Sequence, residues 1–213
     1  QKNVNLNGNF GLKIDILKGL SYTSRFAGTL GFGDFREYEG IYFATATDNR
    51  QHDQLTREMN RSFSYNFQNI LNYNTTIANS HNLSVMAGIE ANKWWGYNMR
   101  GIRLDMASSD PNMLYFDKST NSSDDQQNVT GSGYIGATMA YFGRINYDYD
   151  SKYLLTFNIR RDGSSSFGTN NRWGIFPSVS VGWKFTEEAF MENVDVISFG
   201  KIRFGYGETG TNA

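Results

Sequence analysis

Long stretches of alternating apolar and polar residues constrain the fold of this chain more than any other feature. Between Val4 and Ile16, for example, apolar side chains occupy nearly every even position, whereas Asn, Lys and Asp occupy most odd positions. Successive side chains of a β-strand point to opposite faces, so the pattern predicts strands with one apolar and one polar face. The alternation recurs in eight segments, at residues 4–16, 22–32, 63–73, 83–89, 139–149, 153–159, 179–185 and 202–206. The sequence therefore predicts an all-β fold, an antiparallel meander of about eight long strands.

The length of these segments favours a sheet that spans a membrane. Several of them alternate for about a dozen residues, whereas about 9–11 residues suffice to cross a bilayer and the mean strand has about 5–6. The apolar faces carry no Lys or Arg in their middle parts, where an Arg at the midplane of a barrel's lipid face would cost about 2–4 kcal/mol. Asn69 is the one polar residue well inside an apolar face. These features are typical of a transmembrane β-barrel.

The connections between the predicted strands alternate between short and long. The short ones contain "LKGL", "NSHN" and "DSK", and the long ones run from Phe35 to Glu58, from Asp105 to Tyr134 and after Arg160. Outer-membrane barrels have short periplasmic turns and longer extracellular loops, which matches this asymmetry. The link after the seventh strand lies on the short side but is longer, and Thr186 followed by two glutamates predicts a short helix there.

Composition excludes several classes of protein. The 213 residues include 20 Lys and Arg and 21 Asp and Glu, and a net charge of -1 does not indicate a nucleic-acid-binding protein. The chain has no Cys, which excludes disulfides, Cys-based metal sites and thiol catalysis. His52 and His81 have no ligand-type neighbours at zinc-site spacing. An aromatic content of 15% with only 2 Pro suits long strands instead.

Two short motifs match ligand-binding patterns but fit a structural role better. "GYGETG" at residues 205–210 has the G-x-G-x-x-G form, which binds dinucleotides only where a helix begins directly after it, and "TNA" follows here. We interpret its glycines as small residues within a strand. "DKSTNSSDD" at residues 117–125 lacks the EF-hand ligand spacing and is interpreted as a solvated loop. No arrangement of Ser, His and Asp suggests a nucleophile, so the sequence predicts no catalytic, metal or cofactor site and no enzyme activity.

Trp94 and Trp95 lie together near the outer end of the fourth predicted strand. Adjacent strand residues point to opposite faces, so one indole is expected in an aromatic girdle at the membrane surface and the other toward the lumen. Because Trp can also stack on a sugar ring, both residues are candidate substrate contacts.

The last third of the chain resembles a known transporter family. The matching stretches are "GRINY" at 143–147, "RRDGSSSF" at 160–167, "NRWG" at 171–174, "FPSVS" at 176–180, "GW" at 182–183, "GYG" at 205–207 and "TG" at 209–210. They are similar to the barrel of SusC/RagA-type TonB-dependent outer-membrane transporters, whereas the first 140 residues agree in pattern only. The residues that carry the resemblance are Arg144, Arg160, Arg161, Asp162, Gly163, Phe167, Gly168, Asn171, Arg172, Trp173, Gly174, Phe176, Pro177, Gly182 and Trp183.

The resemblance implies a barrel of about 22 strands in a Gram-negative outer membrane of the Bacteroidetes type. It also implies import of glycan or peptide fragments, with a plug domain in the lumen. The implied partners are a SusD-like surface lipoprotein and the TonB complex, which supplies energy, and no cofactor is implied. We then expect residues 1–213 to form an arc of a large transmembrane β-barrel, a partial barrel domain without the plug domain and the remaining strands. Residues 160–171 would form an extracellular rim, and Pro177 would sit near the start of its strand, where a missing amide donor is tolerated.

Two other hypotheses remain compatible with the residue pattern. Eight strands can close around side chains, which would give a self-contained outer-membrane barrel with a structural or adhesion role. Alternatively, the strands could form a soluble carbohydrate-binding β-sandwich that uses Trp94 or Trp95, since sandwich strands also alternate. Pairing between the first and the eighth strand distinguishes a small closed barrel from a segment of a larger one.

Overall fold

A computed structural model describes residues 1–121, 128–192 and 196–210. Within these ranges the chain forms ten β-strands. They are β1 Lys2–Leu17, β2 Leu20–Glu39, β3 Tyr42–Phe43, β4 Asn49–Arg50, β5 Gln54–Ile77, β6 His81–Leu104, β7 Asn128–Tyr149, β8 Tyr153–Ser164, β9 Trp173–Trp183 and β10 Ile202–Gly207. Eight strands form one antiparallel sheet in the order β1-β2-β5-β6-β7-β8-β9-β10, and β3 pairs with β4. The prediction of an all-β meander with eight long strands is therefore correct.

The sheet order does not support the two alternative folds. β1 and β10 stand at opposite ends of the order, and no pairing joins them in the described residues. A self-contained eight-stranded barrel would require that pairing. A sandwich needs two sheets packed face to face, but the second sheet in the described ranges consists of two strands of 2 residues each.

The strands extend beyond the segments that alternate. β5 and β6 have 24 residues each, and the first two predicted long links are shorter than expected because β2 continues to Glu39 and β7 begins at Asn128. Polar side chains replace apolar ones in these extensions, and an ion pair between Arg57 Nη2 and Asp34 Oδ2 at 3.1 Å joins β5 to β2. Alternation therefore locates the strands but underestimates their length, since backbone pairing does not require an apolar face.

The short connections have the backbone geometry of tight hairpin turns. Gly19 has a φ of 84° between β1 and β2. Ala78 and Asn79 have φ values of 49° and 61°, and Asp150 and Ser151 have 52° and 59°. Two successive residues with positive φ are the signature of type I′ turns, whose twist matches that of paired strands.

In its described residues, the link after β9 contains two short 3₁₀ helices instead of one α-helix. They comprise Phe185–Glu187 and Ala189–Met191. The Glu188 N–H donates to Phe185 O at 3.2 Å, three residues apart, which is the 3₁₀ pattern. The predicted short helix at Thr186 is thus correct in position, and the structure defines its type.

Pro177 does not lie near the start of its strand as predicted. It is an interior residue of β9 and stands opposite Ile159 of β8. Its carbonyl accepts the Glu208 N–H at 3.0 Å, so its missing N–H would point to the same side, just beyond the β10 terminus at Gly207. The proline is tolerated because its neighbour strand ends there.

The chain divides into two compact units. The first comprises Gln1–Gly8, Gly28–Ser64 and Trp94–Ile135. Its core contains Leu55, Met106 and Leu114, which are 0%, 9% and 3% exposed, with Tyr38 and Phe116 packed against them. These residues lie at the end of β2, at the start of β5 and in the segment after β6, so the predicted long link from Asp105 folds into a packed structure.

The second unit comprises Asn9–Ala27, Tyr65–Lys93 and Gly136–Ala213. In its sheet the large apolar side chains share one face, and those of β8 are typical. Leu155, Phe157 and Ile159 are 39%, 38% and 43% exposed. Ala140 is the buried hydrophobic residue of the described part of this unit, so the apolar face has no protein core beneath it.

The exposed surface is large for a chain of this size. The accessible area is 14923 Å², whereas a water-soluble monomer of the same mass exposes about 10,000 Å². Much of the excess is the apolar face of the strands, which requires a nonaqueous environment. Among the described residues, no helix has the length and apolar character to cross a membrane.

Candidate functional site

β9 carries a tryptophan at each end of its apolar face. Trp173 and Trp183 bound this strand of 11 residues, and Val179 and Val181 lie between them. At about 3.3 Å per residue the two ends are about 33 Å apart along the strand. A tilt of about 35–45° reduces this to about 25 Å, the height of the apolar band of outer-membrane barrels. The spacing of the two indoles therefore matches the thickness of a membrane.

A carboxylate outside the strands anchors the aromatic residues at the Trp183 end. Glu188 Oε1 accepts the Tyr153 hydroxyl at 2.6 Å and the Trp183 Nε1–H at 2.9 Å. The Tyr153 hydrogen bond, followed by that of Trp183, lowers the pKa of Glu188 below its ordinary value. Rings with an apolar body and a hydrogen-bonded polar tip are characteristic of membrane–water interfaces.

The two candidate substrate contacts, Trp94 and Trp95, lie on opposite faces of β6. The Trp95 ring is 4.4 Å from the Phe63 ring, and its side chain is 40% exposed on the face that carries the apolar residues. Trp94 is half-buried on the other face, which it shares with the buried Gly96, and the Tyr134 ring packs against Gly96. Each tryptophan thus occupies a different environment.

The polar face of the second unit contains a hydrogen-bonded cluster, here called the Glu90 network, formed by Asn66, Gln68, Glu90, Asn92 and Thr138. Glu90 Oε1 accepts Asn66 Nδ2–H at 3.3 Å and Asn92 Nδ2–H at 3.1 Å, and Oε2 accepts Gln68 Nε2–H at 3.4 Å. Asn92 Oδ1 accepts from Asn66 at 2.6 Å, and Asn92 Nδ2 donates to Thr138 Oγ1 at 3.1 Å. The network joins β5, β6 and β7.

Arg160 connects the Glu90 network to β8. Its Nε donates to both carboxylate oxygens of Asp162, at 2.7 and 2.9 Å, and its Nη1 is 4.0 Å from Glu90 Oε2. The guanidinium carbon lies 5.6 Å from the centre of the Phe142 ring. The Arg160 guanidinium is therefore held between two carboxylates and an aromatic ring.

Further hydrogen bonds continue across the polar face from β7 to β9. Arg144 Nε donates to Asn158 Oδ1 at 2.6 Å, and Asn158 Nδ2 donates to Ser178 Oγ at 3.0 Å. Thr156 Oγ1 donates to Asn146 Oδ1 at 2.9 Å. Side chains that hold one another in this way present fixed donors and acceptors, which suits the binding of a polar surface.

Gly163 and Trp173 form a cross-strand pair near the outer end of β8 and β9. The indole covers Gly163, where an added Cβ would come within 2.9 Å of the ring. The guanidinium carbon of Arg161 lies 4.7 Å from the centre of the same indole. An aromatic ring over a glycine restores the packing that the missing side chain would leave open.

Phe176 packs in the same manner against Gly174 and Gly210. An added Cβ at Gly174 would be 2.6 Å from the Phe176 ring, and one at Gly210 would also collide with that ring. Of the glycines in "GYGETG", Gly205 and Gly207 belong to β10 and Gly210 follows it. Their interpretation as structural residues is therefore correct for the strand portion, and Gly210 also serves packing.

The rim predicted for residues 160–171 is shorter in the structure, because β8 continues to Ser164; residues 165–172 form the compact loop to β9, here called the rim loop. The Arg172 Nε–H donates to Phe167 O at 3.3 Å, and the Arg172 carbonyl accepts the Ser164 N–H at 3.1 Å. The Asn171 N–H donates to Gly168 O at 2.9 Å within a single 3₁₀ turn, Thr169–Asn171. The remaining signature glycine, Gly182, lies in β9 against the side chain of Lys201, whose Cε would be 3.0 Å from an added Cβ.

Both histidines have hydrogen-bond partners. His52 Nδ1 is 2.7 Å from Asp105 Oδ1, and His81 Nδ1 is 2.7 Å from the Tyr147 hydroxyl. The contact with His52 lowers the pKa of the Asp105 carboxyl below its ordinary value. In the described residues no three His, Asp or Glu side chains come together as metal ligands. Residues 122–125 of the acidic stretch 117–125 lie outside the described residues.

Sequence reasoning missed the Glu90 network and the core around Leu55. The signal for the network is present, because Glu90 and Asn92 alternate with Ile89 and Ala91 as polar residues of a long strand. Their partners Asn66 and Gln68, however, are more than 20 positions away along the chain, and only the strand register brings them together.

Comparisons with known proteins agree with this architecture. A family model described as "TonB dependent receptor-like, beta-barrel" matches residues 1–212. TonB-dependent receptor P39 of Formosa agariphila is 34% identical over 203 residues, which are 93% of this chain and 19% of the relative. TonB-dependent receptor SusC of Bacteroides thetaiotaomicron is 53% identical over 72 residues, 34% of this chain and 7% of the relative.

Solved structures of the RagAB peptide transporter share the fold. One of them superposes with a TM-score of 0.86 at 22% identity and covers 96% of this chain and 22% of that chain. The chain thus spans about a fifth of the length of these proteins. Since the family model covers residues 1–212 and the last third carries the SusC-like motifs, this chain belongs to the TonB-dependent receptor-like β-barrel family.

Proposed function

We propose that residues 1–213 are part of the barrel wall of a SusC-like TonB-dependent transporter, and that the intact protein takes up nutrients as oligosaccharide or peptide fragments. The observation that carries this proposal is the two-faced sheet. One face is apolar between aromatic bands about 25 Å apart in height, and the other holds the Glu90 network. A wall between lipid and an aqueous lumen needs both properties.

The intact protein would reside in a Gram-negative outer membrane of the Bacteroidetes type. The relatives named SusC and P39 come from Bacteroides and Formosa, which supports this assignment. In this proposal residues 1–213 form a partial barrel domain, and further strands and a plug domain complete the transporter. A SusD-like surface lipoprotein and the TonB complex are the expected partners, and no residue of the chain acts as a catalyst.

The two tryptophans would have different roles in this transporter. Trp95, exposed beside Phe63 on the apolar face, would belong to the outer aromatic girdle. Trp94 would face the lumen, where an indole can stack on a sugar ring or on an aromatic side chain of a peptide. The signature residues around Arg160 and Trp173 would be structural, because Arg160 is hydrogen-bonded to Asp162 and Trp173 packs against Gly163.

The test is uptake by cells that lack the gene for the intact protein. We expect the deletion strain to lose growth on either a defined oligosaccharide mixture or a defined peptide mixture, and the intact gene to restore it. Restoration should also require a functional TonB complex. Growth unaffected on both mixtures, or restoration without TonB, would contradict the proposal.

A further inference from the structure

Arg161 is an unusual residue because it places a charge on the apolar face of β8. It follows Leu155, Phe157 and Ile159 in the same alternation. Its neighbour Arg160, on the polar face, is paired with Asp162. For Arg161, by contrast, no carboxylate of the described residues lies within ion-pair distance, and the side chain is exposed.

The surroundings of Arg161 hold its guanidinium in a fixed place. The Trp173 indole lies beneath it, 4.7 Å from the guanidinium carbon, and the Tyr141 ring is 5.9 Å from the Trp173 ring. Tyr141 is also the strand partner of Arg161. A guanidinium stacked on an aromatic face keeps its N–H groups free at its edges, so donors without an anionic partner point away from the indole.

An apolar groove of about 570 Å³ ends at Arg161. Its walls are built from large apolar side chains, and its floor lies where Ala87 and Gly143 leave the sheet surface open. Its apolar lining on this face comes from Leu71, Ala87, Ile89, Tyr141, Gly143 and Ile159, and the hydrogen-bonded pair Tyr22 and Asn69 lines its side at β2 and β5. Ala87 and Gly143 stand between longer side chains, which produces a channel on a face that would otherwise be evenly covered.

We propose that this groove binds one anionic lipid of the outer leaflet, with an acyl chain over Ala87 and Gly143 and a lipid phosphate on Arg161. A cation on a barrel's lipid face is unfavourable in the hydrocarbon but tolerated near the interface, and a phosphate supplies the missing counter-charge through charge-assisted hydrogen bonds. The groove matches an acyl chain because its lining is almost entirely apolar.

The site depends on the sheet crossing the outer membrane and not on what the intact protein imports. Arg161 lies two positions from Gly163, the strand partner of the girdle residue Trp173, on the side of the rim loop. A lipid whose phosphate lies at the lipid–water boundary would pair with Arg161, and its acyl chain, running toward the bilayer centre, would fill the groove. No soluble phosphate compound would fill both.

The proposal is tested by lipid binding to the intact protein in detergent micelles, measured by native mass spectrometry. The probes are diphosphoryl lipid A and the same lipid after removal of its phosphates. Charge-assisted hydrogen bonds contribute about 1.5–3 kcal/mol, so we expect Arg161→Gln to weaken binding of the phosphorylated probe about tenfold or more. Binding of the dephosphorylated probe should hardly change.

Two further variants test the acyl-chain contact and control for a general effect of charge. Ala87→Phe fills the groove and should weaken binding of both probes, and Arg25→Gln removes an exposed charge from the polar face and should weaken neither. Equal binding by the wild type and Arg161→Gln would overturn the proposal. So would an equal loss with Arg25→Gln, which would indicate a general charge effect. If transport were absent while lipid binding was intact, the result would contradict the proposed function but not the lipid site.

Discussion

Pairs of a glycine and an aromatic ring account for four residues of the sequence signature, Gly163, Trp173, Gly174 and Phe176. Trp173 covers Gly163 and Phe176 covers Gly174, and in both cases a side chain on the glycine would collide with ring atoms. The ring cannot give way as the end of a flexible chain could. The glycines are therefore required by close packing, and their substitution should be costly where the space is filled and harmless where it is open.

Gly163→Ala should destabilise the intact protein by about 1–3 kcal/mol, as expected for overpacking. The new methyl group would come within 2.9 Å of the Trp173 indole. Gly168→Ala is the matched control, because nothing lies within 4 Å of its Cβ position and its φ of -57° suits alanine. Urea unfolding midpoints in detergent compare the two variants. Equal midpoints would mean that the indole does not occupy the place observed.

Asp105→Asn should remove a pH-dependent contribution to the stability of the segment 105–121. The Asp105 pKa is lowered by the hydrogen bond from His52 and further by that from Asn121. Ionised Asp105 therefore stabilises the fold above its unfolded pKa of about 3.9, and this contribution disappears as the pH falls through the lower folded value. Asparagine keeps the shape and tolerates the φ of 52° at this position.

Hydrogen exchange of the segment 105–121 measures this effect. Between about pH 7 and pH 5, above the ordinary Asp range, the wild type should be better protected than Asp105→Asn. The protection of the wild type and that of Asp105→Asn should converge below about pH 4. A difference in protection that persists unchanged to about pH 3, well below the ordinary Asp pKa, would show that the charge of Asp105 is not the cause.

Single residues also show where sequence reasoning reaches its limit. Asn69 interrupts an apolar face without an evident reason in the sequence, and in the structure its Oδ1 accepts the Tyr22 hydroxyl at 2.5 Å. Pro177 is tolerated inside β9 because β10 ends beside it. Both explanations depend on which residues of another strand stand opposite, and local sequence does not specify that.

The strands themselves were largely predictable from their alternation. A buried or lipid-covered face requires apolar side chains at every second position, so β8 and β9 could be recognised in the sequence. The outer parts of β5 and β6 could not, because polar residues occupy both faces there. The core of Leu55, Met106 and Leu114 was also missed, since its members come from segments about 50 residues apart.

The two faces of β9 should differ in how much a positive charge destabilises the protein. Val179→Arg places a guanidinium near the middle of the apolar face and should cost about 2–4 kcal/mol. Ser178→Arg, one position earlier on the polar face, should cost much less, because it loses only the hydrogen bond from Asn158. Folding free energies of the intact protein in phospholipid vesicles give the comparison. A smaller cost at Val179 than at Ser178 would reverse the assignment of the faces.

The large exposed area of the chain has consequences for its behaviour in solution. An accessible surface of 14923 Å² leaves apolar strands and two unpaired sheet edges, β1 and β10, open to association in the described structure. Residues 1–213 alone should therefore aggregate in plain buffer and stay dispersed only in detergent. Analytical ultracentrifugation tests this expectation, and a monodisperse folded monomer without detergent would count against a membrane sheet.

The most direct test of a lipid-facing and a lumen-facing side is spin-label accessibility along β9. Single cysteines at positions 174 to 182 of the intact protein, in a cysteine-free background, would carry the labels in a lipid bilayer. Labels at 175, 179 and 181 should collide with oxygen, which concentrates in lipid, and those at 174, 178 and 180 with a water-soluble nickel complex. Uniform access of the nickel complex to all positions would contradict a membrane-spanning strand.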